Sequence, residues 1–206
     1  SVKKVIALDA RNVLAWARLA ELQMSLGDLD HALDAALYAV NLDPGLSKTQ
    51  TLLGFAHLLQ IDIQTAKDNF YQAIALDQAD PMPRLGLGLA LIREGNLEDG
   101  RIELEIAASL DPGNSLIRSY LGKAYFEEKR YSLSSTQFEL AKERDPKDPT
   151  PWFYDAIQKQ TQNRPIEALQ DIQKSIELND NRAVYRSKFL LDRDEAARGS
   201  SLARIF

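Results

Sequence analysis

Apolar positions in this chain recur at offsets of three and four. One stretch places Trp16, Leu19, Ala20 and Gln23 on one face, and another does the same with Arg118, Leu121, Gly122 and Tyr125. That spacing is the signature of an amphipathic helix. Each helical stretch breaks and restarts. Gly27-Asp28 and Gly95-Asn96 punctuate two of the breaks, and second runs follow, such as Ala32, Ala36 and Ala39, or Ala66, Phe70 and Ala73. The unit is therefore helix, turn, helix. It also repeats. Leu8-Asp9, Leu42-Asp43, Leu76-Asp77, Leu110-Asp111 and Leu178-Asn179 fall on a 34-residue lattice, and Arg144-Asp145 fills the remaining node. Pro44, Pro112 and Pro146 hold the next place, where a proline stops a helix that has just ended. The pattern predicts about twelve helical segments and no strand.

A single helix pair cannot bury its own apolar face, so consecutive pairs must stack. Small residues recur at the eighth place of the repeat, as Ala20, Gly54, Gly88, Gly122 and Ala156, where the two helices of a pair come closest. This combination resembles the tetratricopeptide repeat: an aromatic, then Leu-Gly, then Tyr, then Ala, Phe, Ala and a closing Pro. The likeness runs over five whole repeats, 13–46, 47–80, 81–114, 115–148 and 149–182. The opening aromatic survives only as Trp16 and Trp152, and Gln78 and Asp180 replace the closing proline. The resemblance implies an all-α, right-handed superhelical solenoid of helix-turn-helix repeats. Residues 1–12 read as the end of a preceding repeat, and 183–206 as a truncated sixth repeat or C-terminal capping helix. The expectation is a segment of a larger bacterial protein. Residues 151–206 also resemble a signature of large bacterial repeat proteins that carry an outer-membrane-like β-barrel region. That second resemblance implies a cell-envelope location.

Composition narrows the chemistry. With 206 residues, 45% hydrophobic and 27% charged, the chain can bury a substantial core. It has no cysteine, which removes disulfides, thiolate metal sites and a Cys nucleophile. The net charge of −5 gives no general attraction to phosphate, so no nucleic-acid partner is expected. No apolar run approaches the roughly 18 residues of a membrane span, so direct membrane insertion of this segment is not expected either. Charge is unevenly placed: residues 182–206 carry six basic and three acidic side chains, or +3, leaving −8 on residues 1–181.

No enzymatic constellation emerges. His57 sits on the helix face shared by Leu91 and Tyr125 and reads as a core residue, while His31 opens a second helix on the solvent side. Neither has a Ser and Asp partner at a recognisable spacing. Gly86-Leu87-Gly88 lacks the preceding strand and third glycine of a phosphate loop. Glu127-Glu128 and the group Asp192, Asp194 and Glu195 lack the spacing of a calcium loop and read as solvated helix faces. The sequence accordingly predicts no enzyme, no metal and no cofactor. Asp155 stands out because it takes the place of Leu19, Leu53, Leu87 and Leu121. A carboxylate there either has a partner, with Lys188 or Arg186 of the following segment the expected ones, or the repeat opens locally.

The candidate binding surface comes from the resemblance, which places the second, fifth, sixth and ninth residues of each repeat on an inner concave face. Those places assign partner binding to Leu52, Phe55, Met82, Leu85, Leu89, Tyr120, Lys123, Phe153, Tyr154 and Ile157. The places that hold the lysine, asparagine and arginine of carboxylate-clamp members carry Ala17, Glu21, Leu52, Met82 and Gly86, so a charge clamp is not expected. An apolar trough of this kind expects a protein or peptide partner. The alternatives are a structural spacer, a homo-oligomerisation scaffold, or the substrate-recruiting arm of an enzyme elsewhere in the parent chain. Weak self-association through truncated ends is expected from Val5, Ile6, Leu202, Ile205 and Phe206.

Overall fold

The computed structural model describes residues 1–178. These form eleven α-helices and, among the described residues, no strand. The short α1 (Val2–Leu8) is followed by five pairs: α2 (Val13–Ser25) with α3 (Leu29–Leu42), α4 (Ser47–Leu59) with α5 (Ile63–Leu76), α6 (Pro81–Glu94) with α7 (Leu97–Leu110), α8 (Ser115–Glu127) with α9 (Tyr131–Arg144), and α10 (Pro149–Thr161) with α11 (Pro165–Leu178). This is the all-α helical repeat fold that the periodicity predicts. The sixth repeat or capping helix at 183–206, the basic stretch from Arg182, the acidic group at 192–195 and the end residues Leu202, Ile205 and Phe206 lie outside the described residues.

The Leu-Asp lattice has a local physical cause. After the second helix of a pair, the Asp side chain turns back on the chain two residues later. Asp9, Asp43, Asp77 and Asp145 each accept a hydrogen bond at 2.9–3.0 Å from the backbone N–H of Arg11, Gly45, Ala79 and Lys147. This is the turn a short acidic side chain stabilises best. The next helix then opens on a capping side chain: Asn12, Asp80, Asn114 and Asp148 accept from the N–H of Ala15, Met82, Ile117 and Thr150. Such caps satisfy otherwise orphaned donors.

The turn within each pair is equally regular. The N–H groups of Asp28, Asp62, Asn96, Arg130 and Arg164 donate to the carbonyls of Gln23, His57, Leu91, Tyr125 and Lys159 at 2.8–3.0 Å. The residue before each donor is left-handed: Gly27 (φ 77°), Ile61 (67°), Gly95 (104°), Lys129 (59°) and Asn163 (59°). This is the helix-ending motif that favours glycine. The sequence marks only two of the five turns with glycine, because the hydrogen-bonded ending imposes the conformation on whatever residue falls there.

The described chain forms two compact units, Ser1–Glu103 and a second beginning at Leu104. In the first, α3 packs on α2 and α4, α5 packs on α4 and α6, and the first helices meet as α2 on α4 and α4 on α6. Phe70 is its central wedge. The ring is fully buried against the backbones of Gly54 and Gly86, where a Cβ on Gly54 would lie 2.6 Å from the ring and one on Gly86 closer still. Gly86, at the sixth place of its repeat, makes room for this ring as Gly54 does at the eighth. In the second unit α8, α9 and α10 pack mutually and α11 covers α10. Phe138 repeats the wedge against Gly122, and Ser134 Oγ donates to the Gly122 carbonyl at 2.8 Å.

Of the side chains expected in the core, Ala20, Leu53, Phe70, Leu87, Leu121, Tyr125 and Phe138 are buried. Trp16, Leu19 and Trp152 are only half-buried. Trp16 leans on Tyr38 with ring centroids 4.4 Å apart and donates its indole N–H to the Ala10 carbonyl. Trp152 lies under the Lys142 ammonium, 4.3 Å from the ring centroid.

Candidate functional site

The ten candidate residues fall on the first helices of their pairs, five in each unit. In the first unit, α4 carries Leu52 and Phe55 and α6 carries Met82, Leu85 and Leu89. Leu52, Phe55 and Leu85 are at most 3% exposed, whereas Met82 and Leu89 are half-buried. Phe55 meets Phe70 edge-on with centroids 5.1 Å apart. Its ring therefore belongs to the inter-helix core as well as to the face assigned to partner binding.

Polar neighbours on these helices spend their hydrogen bonds locally. Thr51 Oγ1 donates to the Ser47 carbonyl at 2.9 Å, and Glu21 is held by Arg18 at 2.7 Å and Lys48 at 3.5 Å. Thr51 is itself buried, and the bond back to its own helix satisfies its hydroxyl there.

In the second unit, α8 carries Tyr120 and Lys123 and α10 carries Phe153, Tyr154 and Ile157. Tyr120, Phe153 and Tyr154 are buried; Lys123 and Ile157 are half-buried. Tyr154 is the hub, with ring centroids 5.3 Å from Phe153, 6.0 Å from Tyr120 and 6.5 Å from Phe138, the last pair stacked. Like Phe55, Tyr154 is thus an inter-helix contact as well as a face residue. The Lys123 ammonium stands 5.5 Å over the Tyr154 ring and 3.4 Å from Glu127. A cation over an aromatic face holds its charge at the edge of the apolar surface.

The expected partners of Asp155, Lys188 and Arg186, lie outside the described residues; among the described residues Lys142 and Lys159 pair with it. Its carboxylate meets Lys142 at 2.5 Å and Lys159 at 3.0 Å, and Asp171 joins the same two lysines at 3.3 and 2.5 Å. Sequence reasoning missed Lys142 because it lies in the preceding repeat, and missed Lys159 and Asp171 because each alone reads as an ordinary surface charge. Burial disfavours the ionised form of Asp155, but the two lysines outweigh it and hold the carboxyl below its ordinary range. For Asp171, burial prevails and the carboxyl is pushed up. The Lys159 ammonium is raised against the opposing effect of its burial by hydrogen bonds to Asp171 and Asp155.

His31 is exposed and its Nδ1 lies 2.8 Å from Asp28, which raises its pKa above the ordinary 6.5. His57 is half-buried with Nδ1 3.4 Å from Asp62. Gly86 and Gly88 lie inside α6 rather than in a loop. Among the described residues, no group of three or more His, Asp or Glu is placed to hold a metal ion, and no helix is long and apolar enough to cross a membrane.

Comparison with known proteins gives the arrangement its place. Residues 85–149 match the family model for the tetratricopeptide repeat. The chain has the tetratricopeptide repeat fold. No curated protein matches the sequence. A thermophilic tetratricopeptide repeat protein of Thermus thermophilus superposes with a TM-score of 0.78 at 18% identity, over 93% of this chain and 99% of that one. The Cut9–Hcn1 hetero-tetramer of the APC/C superposes with a TM-score of 0.79 at 19% identity. All of this chain is covered there, and it spans 38% of the other chain's length. YrrB, described as a tetratricopeptide repeat protein with an unusual peptide-binding site, gives a TM-score of 0.55 at 20% identity, over 91% of this chain and 97% of its own. These are likenesses of fold.

Proposed function

We propose that the chain is a non-enzymatic protein-interaction module whose first-helix faces take up an apolar peptide or helix. The observation that carries this reading is the chemistry of those faces: aliphatic and aromatic side chains at successive helices, with hydroxyls turned back onto their own backbone. Buried Phe55 and Leu85 underlie the face within the first unit, and buried Tyr120 and Tyr154 the face within the second. Half-buried Met82, Leu89, Lys123 and Ile157 are the side chains a partner reaches first. YrrB, similar in fold, is described as having a peptide-binding site, which supports the same use here. The resemblance of residues 151–206 to large bacterial repeat proteins supports a place within a longer envelope protein.

Each apolar anchor contributes about 1.5–3 kcal/mol before ordering costs are subtracted. Two or three anchors give micromolar binding. The test is affinity capture from a bacterial lysate with immobilised wild type, Leu89→Glu, Ile157→Glu and Tyr71→Glu, the last altering an exposed residue of the second helix α5. Partners retained by wild type and Tyr71→Glu but lost with Leu89→Glu or Ile157→Glu support the reading. Equal retention by all four moves the site elsewhere. A chain that retains nothing specific favours the structural spacer.

A further inference from the structure

The four charges around Asp155 occupy places that the other repeats fill differently. Asp155 stands where they have Leu19, Leu53, Leu87 and Leu121, and Lys142 where they have Val40, Ile74, Ala108 and Ile176. Lys159 replaces Gln23, His57, Leu91 and Tyr125, and Asp171 replaces Ala35, Asn69, Glu103 and Gln137. The departures therefore converge on one junction, where α9, α10 and α11 meet. There the two carboxylates and two ammoniums alternate, each lysine touching both acids at 2.5–3.3 Å, with side chains only 5–15% exposed. The Lys142 ammonium also lies over the Trp152 ring. Arg164 and Glu167 pair with each other nearby on the exposed side.

Ion pairing inside a protein about offsets the desolvation it requires, so a matched cluster adds little net stability over an apolar seam. Its energetic effect lies in mismatch. Any other docking of the α10–α11 pair leaves buried charges without partners, which is strongly unfavourable. Repeats built on one lattice have interchangeable apolar faces, and alternative stacking and domain exchange are the characteristic failures of such chains. We propose that Asp155, Lys142, Lys159 and Asp171 form a register lock that lets α10–α11 dock only on α9. The lock also fixes the rotation of α10, because Tyr154, adjacent to Asp155, is directed at Tyr120 on α8. It stands independently of the proposed binding function.

The test uses the full chain in a Trp16→Phe background, so that Trp152 is the sole indole. One variant copies the other repeats: Lys142→Ile, Asp155→Leu, Lys159→Leu and Asp171→Ala. A second reverses every charge: Lys142→Asp, Asp155→Lys, Lys159→Asp and Asp171→Lys. Each is refolded at low and high concentration, then sized by light scattering and read by Trp152 emission. The lock predicts that the apolar variant keeps its helix content but partitions several-fold more into exchanged oligomers, with a broadened Trp152 band. It predicts that the reversed variant matches the parent in helix content and size distribution, its Trp152 band differing only through the loss of the Lys142 ammonium. An apolar variant that returns to the parent's single species with one unbroadened Trp152 band overturns the lock. An apolar variant that fails to fold overturns it too, by showing the cluster to be a plain stabiliser.

Discussion

Replacing Gly86 by Ala sets two opposed effects against each other. In an open helix interior the exchange stabilises by about 0.5–1 kcal/mol, because glycine loses more conformational freedom on folding. At this position the new methyl would meet the ring of Phe70, with Cδ1 at 2.9 Å and the outer ring atoms nearer. The ring has nowhere to go. It is fully buried, and the Gly54 backbone already lies so close to the same ring atoms that a Cβ there would be 2.6 Å from Cε1. Overpacking a filled core costs about 1–3 kcal/mol, and a buried ring already held against the Gly54 backbone belongs at the upper end. The net loss is then about 2 kcal/mol, after the propensity gain is subtracted. With a urea slope of about 2 kcal/mol/M, the midpoint falls by about 1 M. Urea unfolding followed by circular dichroism measures this. A Phe70→Leu background removes the outer ring atoms, so there the same exchange should raise the midpoint by about 0.3 M. If Gly86→Ala raises the midpoint with Phe70 intact, the wedge argument is wrong.

Other substitutions probe the remaining parts of the account. Leu121→Ala opens a cavity between packed helices and should destabilise by about 2–5 kcal/mol, read as a lowered urea midpoint. Ile61 is a β-branched residue at φ 67° and 69% exposed, so Ile61→Gly relieves left-handed strain at little loss of burial and should raise the midpoint. Because Asp28 raises the His31 pKa, the stabilising contribution of that pair is present below pH 6.5 and lost as pH rises through the folded value. The His31 ring protons in an NMR titration should therefore show a midpoint above 6.5 that Asp28→Asn returns to normal. Sedimentation equilibrium should detect weak self-association through the exposed Val5 and Leu8, which Val5→Lys with Leu8→Lys suppresses.

The repeat was legible because its markers act locally. Leu-Asp pairs turn the chain through their own side chains, and small residues at the eighth place admit Phe70 and Phe138, so a 34-residue period in sequence became one in structure. The left-handed turns at Ile61, Lys129 and Asn163 were hidden, since their conformation comes from the helix-ending hydrogen bonds and not from residue type. The ionic junction was half legible. Asp155 broke an apolar column and announced a partner, yet the partners were set by which helices stack. Exposure along the candidate faces was the least readable feature, because Phe55, at the same repeat place as Leu89, and Tyr154, one turn before Ile157 on α10, reach into the inter-helix core.

The central claim is that apolar contacts on the first-helix faces bind a protein partner. Its most direct measurement is calorimetric titration of the captured partner against wild type, Leu89→Glu and Ile157→Glu at low and high salt. The account predicts micromolar binding to wild type that weakens only modestly with salt and is lost in at least one variant whose helix content is unchanged. Equal affinity for all three proteins, or a steep loss of affinity with salt, would contradict it.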